Sequence, residues 1–560
     1  MKKKHSKRNN VSQHILVQVL EQKGQTLLCR DPKGRKRPLQ IHMQGQHKEN
    51  TPYAWIKEEG GKWVNKSPFA PPLADIESRI LAEYDVSRHF PSAIDSCMQE
   101  AKHAHDTLSR VDLRNRLFVT MDGADARDFD DAVSIRALKN GWELLVAIAD
   151  VTHYVRFSGK KKRVSLDGEA RKRGNTFYLP TSMVPMLPGE LATDLASLKP
   201  GTDRRVLVCE LHIAQSGLIG DYRFYPAIIS SAARLSYEDF EAALLDKDPE
   251  AQALFFGMPR GEEIASMLEE GLLLAEALRE VRRKKGSLLI ASRDPIYEIR
   301  KGSIIRLAAR KPHAGHGLIE ECMLAANEAC ALFLLEKNIP FPSRIHAEPD
   351  PLKIAGLQSL IAQSAPEHLP QGRPLASRDI ATILEKAKGT EKEDFLAQAC
   401  LRALPKARYS PDPQGHFGLA KEAYCHFTSP IRRYADILVH RALKLALGLA
   451  DDPVVACKRL LHICDHINAQ EERAERIDKA LHKKLSCLVM ARDRGSVHKA
   501  YVMDTHERGL FIQLVDIPVS GLIPYSLLTT RPALGQIISV RIHSINTQKD
   551  HLTFLPENQV

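Results

Sequence analysis

The ten cysteines of this 560-residue chain are scattered, with no C-x-x-C pair among them. That absence excludes a zinc ribbon or a dithiol redox motif. A chain of this size also needs no disulfide stapling, so reduced thiols in a cytoplasmic protein are expected. Uninterrupted apolar runs are missing too. The opening lysines are not followed by the apolar stretch of a signal peptide. The most apolar later segment, "MLAANEACALFLL", is broken by Asn327 and Glu328 and is too short to cross a bilayer. No membrane association is expected, and no small-molecule organic cofactor. His313 and His316 in "HAGH" have no cysteine partners at finger spacing, which favours a solvated loop over zinc.

The chain does have length, charge and alternating strands. It is too long for one ordinary core, so several domains are expected. The formal net charge is +11, and residues 1–50 concentrate it, with twelve Lys or Arg against Glu21, Asp31 and Glu49. Such an arm suits a polyanion, nucleic acid before membrane, although a solubilising tail reads the same way. Residues 14–64 alternate as the strands of a small β-barrel do, and "SPFAPPLADIE" follows as a linker. The next stretch predicts two helices separated at Pro91. "RLFVTM", "DDAVSIRAL" and "WELLVAIADV" predict three successive strands, the last two joined in a hairpin at Asn140-Gly141. Helices are predicted over 318–335, 434–448 and 454–489, and short strands return over 495–556.

One segment carries most of the chemistry. "MDGADARDFDDAV", residues 121–133, holds Asp122, Asp125, Asp128, Asp130 and Asp131. Carboxylates so close repel and raise one another's pKa, so a cation must offset them. Mg²⁺ suits oxygen ligands and keeps waters and phosphate oxygens in its shell, and a pair of such ions can cleave a phosphodiester. A calcium loop of the EF-hand type is excluded, because the central Gly and the terminal Glu are absent. A merely solvated acidic loop would not need Phe129, Ala132 and Val133 interleaved with the acids, nor strands on both sides.

With these residues in view, "TMDGADARDFDDAV" resembles the signature of the RNB family of exoribonucleases, the ribonuclease II and ribonuclease R group. Five further stretches agree in order: "VAIADVTHYV", "YLPTSMVPMLPGELATDLASL", "ARLSYEDF", "LIEECMLAANEACA" and "GHFGLAKEAYCHFTSPIRRYADILVHR". The resemblance implies a multidomain α+β chain, with a central RNB catalytic domain flanked by small OB-fold β-barrels. Its parts would be a basic disordered arm at 1–12, an N-terminal OB or cold-shock-like domain at 13–70 and a helical connector at 71–111. The RNB domain would follow at 112–445, a helical end of the catalytic body at 446–490, and an S-one-type OB domain at 491–558.

The resemblance also implies an activity: processive hydrolysis of single-stranded RNA from the 3′ end to nucleoside 5′-monophosphates, with Mg²⁺, or Mn²⁺ as substitute. A monomer is expected. Asp122, Asp128, Asp130 and Asp131 would be the metal-site carboxylates, with Asp128 and Asp130 also orienting water or the terminal nucleotide. Asp125 falls at a variable position and is set apart. Arg432 would hold the reacting phosphate, a role that suits a permanently charged fork, whereas Arg433 reads equally as a solvated or a structural charge. Glu320 would contact the terminal ribose; Glu at a helix start is favourable in any protein. Tyr178 and Tyr237 would lie on the RNA path, Glu475 near the nucleotide exit, and Phe511 on a stacking surface of the last barrel. Glu475 also neighbours an ordinary i, i+4 surface pair, Glu472 with Arg476.

Three departures mark this chain. Ile290 in "KKGSLLIAS" stands where the family often carries a phenylalanine that clamps the terminal base, and residues 1–111 give room for one barrel where relatives have two. A long lysine-rich tail is absent after the last barrel. The alternative to a working enzyme is an RNA-binding or regulatory protein whose nuclease body has lost activity. The four acids and Arg432 are the positions that separate the two.

Overall fold

A computed structural model of the chain describes residues 14–557, apart from 24–25, 30–38, 43–52, 60–61, 66–72, 158–163, 291–293, 301, 310–312, 450–456, 494 and 547–548. The basic arm and the prolines of the linker lie outside the described residues.

Alternation of apolar and polar residues closes both ends of the chain into five-stranded barrels. The first comprises His14–Lys23, Thr26–Cys29, Leu39–His42, Tyr53–Glu59 and Lys62–Asn65. Its strands pair first to second, second to third, third to fifth, fifth to fourth and fourth back to first. Inside it lie Val17, Leu27, Cys29, Ile41 and Ile56, none more than 3% exposed. The last barrel, Val497–His506, Gly509–Leu514, Ser520–Pro524, Ile537–Asn546 and His551–Pro556, repeats that pairing order. Closure leaves no open edge on either.

Between them lies a seven-stranded sheet in the order Ala233–Ser236, Val119–Asp122, Asp131–Leu138, Gly141–Ala149, Asp203–Ala214, Ile219–Ser230, Val111–Asp112. The two outermost pairings are parallel and the rest antiparallel. The run "WELLVAIADV" is apolar at nearly every position because its strand is covered on both faces. Leu144, Val146 and Ile148 pack with Leu268 of helix Gly261–Lys284 and Leu318 and Cys322 of helix Ala314–Glu336. Leu145, Ala147 and Ala149 pack on the other side with Ile437 and Leu438 of helix Tyr434–Ala446. Gly141 turns the hairpin at φ +145°, where an added Cβ would stand 2.0 Å from the Ile213 carbonyl oxygen, so the turn needs glycine.

The helix Cys457–Met490 ties the body together. Ile477, Leu481 and Leu485 pack on Leu73, Ile76 and Ile80 of helix Leu73–Glu83 and join the core of the last barrel. Three helices, Pro351–Ser364, Asp379–Ala387 and Glu393–Ala403, form a separate apolar cluster that rests on Tyr501 and Met503 of that barrel. The pair of helices predicted around Pro91 is present as Leu73–Glu83 and Ile94–Lys102. Among the described residues, nine cysteines are all unpaired and no helix is long and apolar enough to cross a membrane.

Candidate active site

The aspartate segment leaves the sheet at the end of Val119–Asp122 and re-enters it at Asp131. Its shape is imposed from outside. Phe129, 7% exposed, is sunk in the core beneath, and its N–H donates to Ser197 Oγ at 3.0 Å. The Ser197 hydroxyl donates in turn to the Arg127 carbonyl at 3.0 Å. Arg234 donates to the carbonyls of Gly123 at 2.8 Å and Ala124 at 2.6 Å. The apolar residue among the acids is therefore an anchor, and the carboxylates are presented by a loop pinned at four points.

Asp130 is 4% exposed. Its Oδ1 accepts from the Ile431 N–H at 2.8 Å, and its Oδ2 stands 3.6 Å from Arg432 Nε without a hydrogen-bond partner. Asp122 Oδ2 is likewise buried and partnerless. Asp128 accepts from the Tyr178 hydroxyl at 3.0 Å, and Asp131 pairs across the sheet with Ile148. Burial pushes the Asp122 carboxyl up to about 6, with Arg432 and Arg234 pulling it down and Asp128 adding to the rise. Burial and the neighbouring Asp122 push Asp131 up to about 8. Asp130 is raised well above the carboxylate range, again by burial first, against the pull of Arg432. Water has been removed from the acids without enough cation in its place.

Arg432 is presented by a turn that is itself held. Its Nη2 donates to Ser429 Oγ at 3.0 Å, and its carbonyl accepts from the Thr176 N–H at 3.0 Å. Arg433 is structural: it donates twice to the fully buried Asp436 at 2.8 Å, and Asp436 also accepts from the Ser429 N–H at 2.7 Å. The side chain of Arg432 remains 44% exposed and faces the acids.

Two aromatic residues border this group. Tyr178, in a two-stranded ribbon with Met183–Val184, is 54% exposed. Tyr237 follows Ser236, the register partner of Asp122, and meets His316 edge to face at 5.4 Å between ring centroids. Glu320 is exposed on the same helix as His316, 3.9 Å from its Nδ1. Asp125 is exposed on the loop. Ile290 is partly buried at the end of a stretch where the Leu288 N–H donates to the Gly418 carbonyl at 2.8 Å.

Two expectations are corrected here. "HAGH" is not a solvated loop: His313 precedes helix Ala314–Glu336, its Nδ1 is bonded to the Glu241 carboxylate, and His316 lies in the first turn. Gly315 permits this, since an added Cβ would lie 2.8 Å from the Phe240 ring and 2.9 Å from Met121 Sδ. Arg476 does not pair with the Glu472 carboxylate but donates to the Glu472 carbonyl at 3.3 Å. Glu475 and Phe511 have local partners of their own. Glu475 is paired with Lys406 and, at 3.6 Å, with Lys479. Phe511 is half-buried against the three-helix cluster, with the Arg402 guanidinium 5.9 Å from its ring centroid.

Among the described residues, no three His, Cys, Asp or Glu side chains already form a closed metal cage. Mg²⁺ does not require one, since it is held by one or two carboxylates together with waters and phosphate oxygens. The partnerless oxygens of Asp122 and Asp130 and the raised carboxyls are what such an ion would relieve, so the residues fit it.

The RNB domain family model matches residues 110–448. The chain belongs to the RNB family. It is 34% identical over 509 residues to ribonuclease R of Escherichia coli strain K12, covering 85% of this chain and 61% of that protein. It is 36% identical over 431 residues to ribonuclease R of Thermotoga maritima, covering 76% and 59% respectively. The matches thus span about three fifths of the length of these relatives. The fold is similar to that of Mycoplasma genitalium RNase R in complex with ribose methylated single-stranded RNA, with a TM-score of 0.79, 23% identity and coverage of 97% of this chain and 89% of that one. Three residues that shape this RNB site, Ser197, Arg234 and Asp436, were not singled out from the sequence. All three lie inside stretches that carry the family resemblance.

The raised carboxyls give the first test. Asp122 and Asp131 bind protons more tightly folded than unfolded, so the metal-free protein is expected to lose stability as pH climbs from the ordinary carboxylate range through about 6 and 8. Mg²⁺ must displace those protons. The melting temperature gained on adding MgCl₂ is therefore expected to be larger at about pH 8 than at about pH 5.5. Equal gains in differential scanning fluorimetry would refute this.

Proposed function

We propose that the protein is a hydrolytic 3′-to-5′ exoribonuclease that degrades single-stranded RNA processively to nucleoside 5′-monophosphates, using Mg²⁺ with Mn²⁺ as a substitute. One observation carries this reading: buried carboxylate oxygens without partners at Asp122 and Asp130 lie beside Arg432, with Nε 3.6 Å from Asp130. An anionic phosphate would not approach four aspartates unaided. A divalent cation held by Asp122, Asp128, Asp130 and Asp131 would supply charge neutralisation and an activated water.

The chain's own groups do the remainder. Arg432, exposed on one side and braced by Ser429, places its fork against the phosphate oxygens and stabilises charge that develops there. Tyr178 offers a ring face to a base while its hydroxyl fixes Asp128, and Tyr237 lines the other side. Glu320 at the rim accepts from a ribose 2′-hydroxyl, which favours RNA over DNA. Residues 112–445 form the catalytic body and 446–490 its helical end. The barrels, as OB-type domains at 13–70 and 491–558, deliver the single strand, with Phe511 at the edge of the last one. Glu475, tied to Lys406, borders the exit of the released nucleotide. The protein acts as a cytoplasmic monomer, a setting that the unpaired cysteines support.

Incubation of the purified protein with 3′-labelled poly(A) and Mg²⁺ tests the reading. Release of labelled mononucleotides is expected, and none would overturn it. Binding of the same RNA to the metal-free protein is expected to weaken as salt rises, losing roughly 300-fold or more between 50 and 200 mM if six or more phosphates are contacted. Anisotropy titrations that are flat across that range would rule out an electrostatic channel.

A further inference from the structure

Helix Ala314–Glu336 also lines a second polar site, in a cavity whose walls include none of the aspartates. Glu320 lies beside His316, while Glu321, one residue on and about a quarter turn round, lines a separate cavity of about 200 Å³. Glu321 is 3% exposed and Arg282 is 8% exposed. They are bonded at 2.9 Å through Glu321 Oε1, which also lies 3.6 Å from Arg279 Nε. The other halves of both groups, Glu321 Oε2 and Arg282 Nε, are buried without a partner. A free acceptor and a free donor on one cavity wall are costly to leave unmet.

The cavity has a cationic end. Lys421 is bonded to Glu328, and Lys285 is exposed at the mouth. Three cations therefore line the space against two carboxylates, and Lys421 is depressed first by burial and further by Arg282 and Lys285, against the pull of Glu328. The remaining wall is aliphatic, with Leu278, Leu324 and Leu332 prominent. A ligand matching this lining is flat and apolar on its faces, carries an N–H next to an acceptor on one edge, and ends in an anion. Every nucleobase has such an edge, and a 5′-phosphate supplies the anion.

We infer that the cavity behind helix Ala314–Glu336 binds a nucleoside 5′-monophosphate, with the base edge on Glu321 Oε2 and Arg282 Nε and the phosphate toward Lys285. The ligand class is that of the proposed hydrolysis product, and the inference rests on the nuclease reading for that choice.

Calorimetric titration of the full chain without divalent metal, using AMP, CMP, GMP, UMP and ribose 5-phosphate, tests it. At least one nucleotide is expected to bind, and ribose 5-phosphate, which lacks the base, is expected not to compete. Lys285→Glu reverses the charge at an exposed position, and Leu218→Trp blocks the mouth from a residue that is 55% exposed. Each is expected to weaken binding about tenfold or more while Asp130→Asn leaves it unchanged. No binding of any nucleotide, binding indifferent to both rim variants, or binding lost in Asp130→Asn would each overturn the inference. Hydrolysis is not read in this titration. Rim-dependent binding in a protein that releases no mononucleotide from poly(A) would sink the nuclease reading and leave the cavity assigned.

Discussion

Asp130→Asn is expected to lower the rate of mononucleotide release by on the order of 10³-fold or more while RNA affinity stays within about twofold. The substitution is nearly isosteric. An Asn oxygen can still accept from the Ile431 N–H that Asp130 takes at 2.8 Å, so the link between the aspartate loop and the Arg432 turn survives. What disappears is the negative charge 3.6 Å from Arg432 Nε and one of the two partnerless oxygens suited to a cation. Burial raises the Asp130 carboxyl well above its usual range, which means that the ionised form costs stability when no metal offsets it. The neutral variant should therefore melt no lower than the parent without Mg²⁺, and should gain less when Mg²⁺ is added. Single-turnover cleavage of labelled poly(A), anisotropy with the same RNA, and scanning fluorimetry together separate these effects. Parental cleavage rates in the variant would remove Asp130 from the chemistry.

The parts of this architecture that could be read from sequence are those whose cause is local. The strand "WELLVAIADV" declares burial on both faces through an apolar run, and Asn140-Gly141 announces a hairpin that indeed pairs Leu138 with Gly141. Phe129 among the aspartates argued against a merely solvated loop, and in the structure the Ser197 and Arg234 contacts pin it. Other features depend on partners far along the chain. Asp130 and Ile431 are 301 residues apart, so no window of sequence places them together. Only the shared family resemblance of the two stretches did so. Whether Arg433 was solvated or structural could not be decided while the side chain's direction was unknown, and its bonds to Asp436 settle it. "HAGH" misled for a different reason. Its polar residues are typical of a turn, but Gly315 lets the helix start against Phe240 and Met121, and that contact is tertiary. Glu320 and Glu321 are equivalent in composition, and only the helix orientation separates an exposed residue from one bonded to Arg282.

Asp436→Ala is expected to destabilise the protein by about 2–4 kcal/mol, because it leaves the partly buried Arg433 guanidinium without the carboxylate it is bonded to and the Ser429 N–H without an acceptor. Asp436 is 0% exposed and carries three hydrogen bonds, two from Arg433 at 2.8 Å and one from the Ser429 N–H at 2.7 Å. Those bonds fix the turn from which Arg432 extends, so catalysis is expected to suffer as well, although Asp436 touches neither RNA nor metal. Asp436→Asn separates the two losses. Its oxygen can still accept from the Ser429 N–H, so it should keep more of the turn than alanine does, while the missing charge leaves Arg433 uncompensated. Pairing Asp436→Leu with Arg433→Met removes both charges and should recover much of the stability. It cannot restore the acceptor for Ser429, however, so the cleavage rate should remain low in a protein that folds well. Urea denaturation and poly(A) cleavage measured on all three variants distinguish a residue that merely holds the fold from one that positions Arg432. If the doubly substituted protein regained stability and full activity together, the Asp436–Ser429 hydrogen bond would have no part in aiming the arginine.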